Sequence, residues 1–310
     1  MIINNWRASH SFPLNTLQIY LRDNARKVDE APLIAQRIKR LSSTKSKLCR
    51  EPSMQLSQMQ DIGGCRAVLA NVEAEHELRE LYQNSRMRHT LVKENDYISQ
   101  PKFSGYRSIH RIYRYVSDRS DTYNGLQIEV QIRSQLQHAW ATAVETVGTF
   151  LEQALKASRG SDEWLRFFVL MGSAMAIREK KPLVPNSPTS EIQLIRELKK
   201  YARDLTVERT LRAYHATLRL SRMPEVRGAR YFLVELRPSG EKVNVSVTAY
   251  RGKELQEATD KYLAIETTLT EPGSEAVLVS VESLDSLRRA YPNYFLDTDI
   301  FLDVMKEFIT

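Results

Sequence analysis

The chain has 310 residues, 42% of them hydrophobic, enough for sizeable buried cores and in line with two domains. A net charge of +7 and a pI near 9.3 favour an anionic partner, a nucleotide or RNA. The two cysteines, Cys49 and Cys65, exclude a four-cysteine zinc site and fit a reducing cytosol; Met1–Arg7 has no signal core and no apolar run approaches the ~18 residues of a membrane span, so a cytoplasmic chain with no membrane partner is expected.

Pro13 to about Leu48 carries helical spacing, with Leu14, Leu17, Tyr20 and Leu21 on one face and Leu33, Ile34, Ile38 and Leu41 continuing it after Pro32. The segment is strongly basic and contains Arg37-x-Lys39-x-x-x-Ser43-x-x-x-Lys47. On an unbroken helix Arg37 and Lys47 would stand roughly 15 Å apart, and a bend near Ser42-Ser43 would bring them together. Three cations of this kind suit a triphosphate, and the bland alternative is a solvated basic helix. Asp61-Ile62-Gly63-Gly64-Cys65-Arg66 then enters a buried strand, Cys65–Ala70. Asp61 is a turn or cap residue unless a second carboxylate converges on it, in which case it becomes a Mg²⁺ ligand. Val72–Asn84 is a predicted helix and Met87–Lys93 a predicted strand.

The stretch from Asp96 to His110 packs unusual chemistry into one loop. Pro101 and Gly105 permit a tight bend and a close backbone approach. Lys102 and Arg107 can meet phosphate, Tyr106 offers a flat face to a base, and His110 adds a donor or acceptor. Without a ligand the same residues would make an ordinary basic hairpin. Arg107–Val116 and Leu126–Arg133 read as paired strands across a turn marked by Asn124-Gly125. In the second strand Glu129, Gln131 and Arg133 share one face, and Ile128, Val130 and Ile132 the other. Glu129 is either one half of a salt bridge or, beside Asp61, a metal ligand or proton acceptor. A helix over Gln135–Leu155 completes an α/β sheet domain.

Ser161–Glu179 is an apolar helix, and Pro182, Pro185 and Pro188 mark a boundary. Glu191–Leu220 reads as an amphipathic helix that needs a partner surface. Tyr231–Arg237 and Lys242–Tyr250 form a hairpin around Pro238-Ser239-Gly240; a helix over Leu255–Ile265, a strand over Ala276–Val281 and a helix over Leu284–Arg289 follow. The expected fold is α/β (α+β): a mixed sheet flanked by helices, then a smaller α/β unit. P-loop, dinucleotide and His-Asp phosphohydrolase signatures are absent.

The ordered set R-x-K…S-x-x-x-K, D-x-x-G-x-R, D-Y-I-x-x-P-K-x-x-G-Y-x-S-I-H and E-V-Q-I-R, over about Ser11 to Phe150, resembles the synthetase domain of the RelA/SpoT family. The resemblance implies a nucleotidyltransferase-like fold that moves pyrophosphate from ATP to a ribose 3′-hydroxyl. It would have Arg37, Lys39, Ser43, Lys47 and Arg66 grip ATP, and Asp61 and Glu129 carry Mg²⁺ and catalysis. Lys102, Gly105, Tyr106, Arg107, His110, Gln131 and Arg133 would serve acceptor and phosphates, with Tyr106 stacking on the acceptor base. The hydrolase domain of the long enzymes is not expected, and Ala139-Trp140-Ala141-Thr142-Ala143-Val144-Glu145 is more similar to the small, often toxic branch. The Tyr291-Pro292-Asn293-Tyr294 run resembles the CapRel-type fused toxin–antitoxins. That likeness implies a synthetase domain over 1–180 and a regulatory, pseudo-zinc-finger domain over 181–310. In that group Tyr291 and Tyr294 would obstruct the ATP site until a phage capsid protein relieves the block, and the tRNA 3′-CCA end would be the acceptor. The alternative is a small alarmone synthetase using GDP or GTP.

Overall fold

The computed structural model describes residues 2–154, 161–216, 218–222, 228–239, 242–269 and 274–310. Its helices are α1 (Ile2–Ser9), α2 (Ser11–Val28), α3 (Leu41–Arg50), α4 (Val72–Gln83), α5 (Gln135–Ala154), α6 (Ser161–Arg178), α7 (Glu191–Asp204), α8 (Val207–Ala216), α9 (Leu255–Thr268), α10 (Leu284–Ala290) and α11 (Asp299–Ile309). Its strands are β1 (Leu33–Ile38), β2 (Gly63–Leu69), β3 (Thr90–Asp96), β4 (Ile109–Arg114), β5 (Gln127–Ser134), β6 (Leu218–Arg222), β7 (Ala229–Ser239), β8 (Lys242–Arg251) and β9 (Glu275–Ser280). No helix among the described residues is long and apolar enough to cross a membrane.

All the described strands join one mixed sheet in the order β3-β4-β5-β2-β1-β9-β7-β8-β6. β2–β5 and β6–β8 are parallel and the other pairs antiparallel. The mixed sheet flanked by helices is as expected. The second unit does not stand apart, however. β9 pairs with β1, with Gln36 opposite Ser280 and Arg37 opposite Val279, so the C-terminal strands extend the N-terminal sheet.

Residues 33–38 correct the sequence reading, which ran one helical pattern from Pro13 to Leu48. α2 ends at Val28, and Leu33–Ile38 is a strand whose Leu33, Ile34, Ala35 and Gln36 are buried. A strand covered on both faces is apolar at odd and even positions alike. Over six residues such a run cannot be told from a buried helical stretch by spacing. Glu191–Leu220 is likewise divided: α7 stops at Asp204, Thr206 takes a left-handed φ of 46°, α8 follows, and Leu218–Arg222 is strand. The strand expected at Met87–Lys93 lies three residues later. The hairpin of β7 and β8 forms as expected, with its Gly240 outside the described residues.

α2 and α4 cover one face of the N-terminal half of the sheet, over Ile34, Cys65, Ala67, Ile128, Val130 and Ile132. On the other face Leu33, Ala35 and Val68 share a core with Phe232, Val279, Leu287, Tyr291, Tyr294 and Phe295 from the C-terminal half. A third core joins α5 and α6 to α7, α8 and α11, so the amphipathic stripe of α7 finds its partner there.

Candidate active site

Strand parity builds the site. Leu33 and Ala35 face the Tyr291 core, so Arg37, two residues on, emerges on that side. The register sets Arg37 opposite Gly64, Gly64 opposite Glu129, Arg66 opposite Gln131, and Gln131 opposite His110. Four strands thus place Arg37, Arg66, Glu129, Gln131 and His110 on one face. Gly64 sits between Arg37 and Glu129 and leaves the middle of that row open; a Cβ there would come no nearer than 3.9 Å to Glu129.

Asp61 and Glu129, 68 residues apart, line the same cavity of about 100 Å³, together with Arg37, Lys39, Arg66, Gln131 and Tyr291. Lys39 donates to Asp61 Oδ2 at 2.7 Å, and Lys47, reaching back from α3, donates to Oδ1 at 3.2 Å. The break between strand and helix, rather than a bend within one helix, lets both lysines meet Asp61. Burial would raise the Asp61 carboxyl, but the two ammonium groups outweigh it and hold it below the ordinary range. Glu129 shows the same balance: burial raises it, and its bond to His110 overcomes that.

A hydrogen-bonded chain runs through Glu129. Tyr106 Oη lies 2.8 Å from His110 Nε2, His110 Nδ1 lies 2.7 Å from Glu129 Oε1, and Gln131 donates to Oε2 at 2.7 Å. The network assigns the proton to Nδ1, so that Tyr106 donates to Nε2. Lys102 stands over the Tyr97 ring at 4.2 Å and the Tyr106 ring at 5.3 Å. Ser43 is half-buried on α3, one turn before Lys47.

Three expected site residues have other surroundings. Arg107, 3% exposed, donates to the carbonyls of Ile98 (3.2 Å) and Pro182, tying the loop to the segment after α6. Gly105, at φ 93°, packs against Trp140 and the Phe168 carbonyl. Arg133 is buried on the same strand face as Glu129 and Gln131 and acts on Tyr106, Arg66 and Tyr291 through its charge.

The C-terminal segment supplies one wall of the cavity through Tyr291. Tyr291 and Tyr294 are stacked at 5.8 Å and almost fully buried. The Arg66 guanidinium lies 4.8 Å over the Tyr291 ring and donates to the Ala290 carbonyl. Arg37 donates to Tyr294 Oη at 3.4 Å. Burial and the Arg133 charge push Arg66 down to about 9, still a cation at neutral pH, and burial pushes the Tyr291 hydroxyl up to about 12. Sequence spacing gave no sign of a second tie, in which buried Arg7 of α1 pairs with Glu266 of α9 at 2.8 Å.

Two carboxylates facing one cavity are hard oxygen donors of the kind Mg²⁺ takes, and each oxygen now engaged by one donor keeps a further lone pair. Among the described residues no group of three or more His, Cys, Asp or Glu offers an alternative metal site.

Residues 36–149 match the family model described as a region found in RelA / SpoT proteins. The GTP pyrophosphokinase YjbM of Bacillus subtilis (strain 168) is 31% identical over 118 residues, which are 37% of this chain and 56% of that protein. The chain thus spans about half the length of this relative. Among solved structures, a GTP pyrophosphokinase family protein from Streptococcus pneumoniae aligns with a TM-score of 0.46 at 22% identity, over 57% of this chain and 88% of that one. The small alarmone synthetase 1 of Bacillus subtilis, bound to its product pppGpp, gives 0.46 and 22% over 57% and 93%. The matched region, residues 36–149, holds Arg37, Lys39, Asp61, Arg66, Glu129 and Gln131 of the cavity and is similar to the region found in RelA / SpoT proteins.

Proposed function

We propose that the chain is an ATP-dependent 3′-pyrophosphokinase whose C-terminal segment covers its own donor site. The observation that carries this reading is the joint cavity: Asp61 and Glu129 line it with Arg37, Lys39 and Arg66, and Tyr291 of the C-terminal segment lines it too. Transfer of this kind needs alignment and charge neutralisation more than covalent help. Lys39, Lys47 and Arg37 would bind the ATP polyphosphate, and Arg66 would offset charge on the AMP leaving group. Asp61 and Glu129 would hold Mg²⁺, which when bound neutralises phosphate charge. Glu129, held ionised by its bond to His110, would accept the proton of the attacking 3′-hydroxyl, and Tyr106 would pack on the acceptor base.

The relative named GTP pyrophosphokinase favours GDP or GTP as acceptor. The buried Tyr291–Tyr294 pair over Arg37 and Arg66 favours the fused toxin–antitoxin reading, with a tRNA 3′ end as acceptor and a phage capsid protein as trigger. Purified chain with Tyr291→Ala/Tyr294→Ala is incubated with γ-labelled ATP and either tRNA or GDP and GTP. Label is expected on one acceptor, at a rate well above that of the unaltered chain, and Asp61→Asn should abolish it. Absence of label on every acceptor would end the pyrophosphokinase reading, and equal rates with and without the tyrosines would end the covering role.

A further inference from the structure

A second and larger cavity, about 340 Å³, shares none of its lining residues with the cavity of the two acids. Its walls come from both halves of the chain: Val68 of β2 and His138 of α5 on one side, and Arg288, Arg289, Pro292, Asp297 and Phe301 on the other. The volume falls within the range of small-molecule sites.

His138 is the informative residue. It is 8% exposed, and its Nε2 lies 3.0 Å from the Arg289 carbonyl, an acceptor, so that nitrogen carries the proton. Nδ1 is then a lone-pair acceptor, and it has no partner in the protein. Burial, with the charges of Arg133 and Arg66, holds the imidazole well below its usual value, so protonation does not relieve Nδ1 at neutral pH. A buried polar atom left unpaired is costly, and a ligand that supplies a donor recovers that cost. Val68 and Phe301 give apolar walls, the two arginines suit a phosphate, and the Asp297 carboxylate accepts from a hydroxyl.

We infer that this cavity is a binding site for a nucleoside monophosphate, with a base N–H on His138, the ribose by Asp297 and the phosphate on Arg288 and Arg289. A molecule touching both walls binds the closed arrangement best, and therefore holds the Tyr291 segment down. That consequence rests on the covering role proposed above; the site itself does not.

The test is calorimetric titration of the full chain with AMP as the probe, and with phenyl phosphate, which keeps a ring and a phosphate but lacks both the base N–H and the ribose. AMP should bind in Lys39→Ala/Lys47→Ala, which disarms the catalytic cavity. It should weaken at least about tenfold in Arg288→Ala/Arg289→Ala, where both side chains are exposed and folding is not at risk. Phenyl phosphate should bind about tenfold more weakly than AMP. No AMP binding at millimolar concentration, or binding lost with the lysines and indifferent to the arginines, would overturn the inference. A chain that labels no acceptor yet binds AMP through the arginines would keep this site and discard the pyrophosphokinase reading.

Discussion

Replacing Glu266 by Gln should destabilise the chain far more than an ordinary salt-bridge loss. Arg7 and Glu266 are 2% and 8% exposed at their side chains. Arg7 also donates to the Lys39 carbonyl at 2.8 Å, Asn4 Oδ1 at 2.9 Å and Tyr262 Oη at 2.5 Å. Glu266 Oε1 accepts from the Leu41 amide at 2.5 Å, at the start of α3, and from Tyr262 Oη at 2.8 Å. One buried pair thus joins α1 and α9 to the turn between β1 and α3. Removing the carboxylate charge leaves a buried guanidinium uncompensated, at a cost of about 3–5 kcal/mol. Arg178–Glu307, 45% and 60% exposed, is the internal control, and Glu307→Gln should cost about 1 kcal/mol or less. With roughly 2 °C of Tm per kcal/mol for a chain of this size, Glu266→Gln should melt about 6–10 °C lower. Circular dichroism during heating and urea unfolding measures both. The Arg7→Met/Glu266→Leu double variant should recover only part of the loss, because the Lys39 carbonyl and Leu41 amide stay unpaired. A Glu266→Gln chain no less stable than Glu307→Gln would refute the reasoning.

Two other perturbations test the scaffold around the site. At Gly105 a Cβ would meet Trp140 Cζ2 at 3.0 Å and the Phe168 carbonyl at 3.1 Å, at a φ of 93° that side chains rarely adopt. Gly105→Ala should therefore cost about 2 kcal/mol or more in urea unfolding, and a cost under about 0.5 kcal/mol would contradict that packing. Burial, with Glu179 nearby, pushes the Glu75 carboxyl well above its ordinary range, so the folded chain keeps a proton that the unfolded chain releases. Its stabilising contribution is complete below the usual glutamate range and is lost as pH climbs through the raised value. Glu75→Gln should thus be more stable than the unaltered chain at about pH 8 and lose that advantage at about pH 4; a pH-independent difference in urea midpoints would refute this.

Local patterns in the sequence determined much of the site. Alternation in Gln127–Arg133 assigned Glu129 and Gln131 to one face and the isoleucines to the other, because a strand with one buried side has a period of two. The Asp61 and Glu129 pairing, the cations of 37–47 and the loop through Tyr106 and His110 were likewise legible as residue types with matching chemistry. Periodicity misread β1, because a strand buried on both sides has no polar face to reveal it. The partners of Arg107 were not legible, because they are backbone carbonyls, one of them 75 residues away. Only the tertiary structure decided that β9 would extend the sheet at β1 and that Arg7 would find Glu266 across 259 residues. Propensity and spacing act over a few residues, whereas these contacts are set by which sheet edge and which buried charge remain unsatisfied once the local elements have formed.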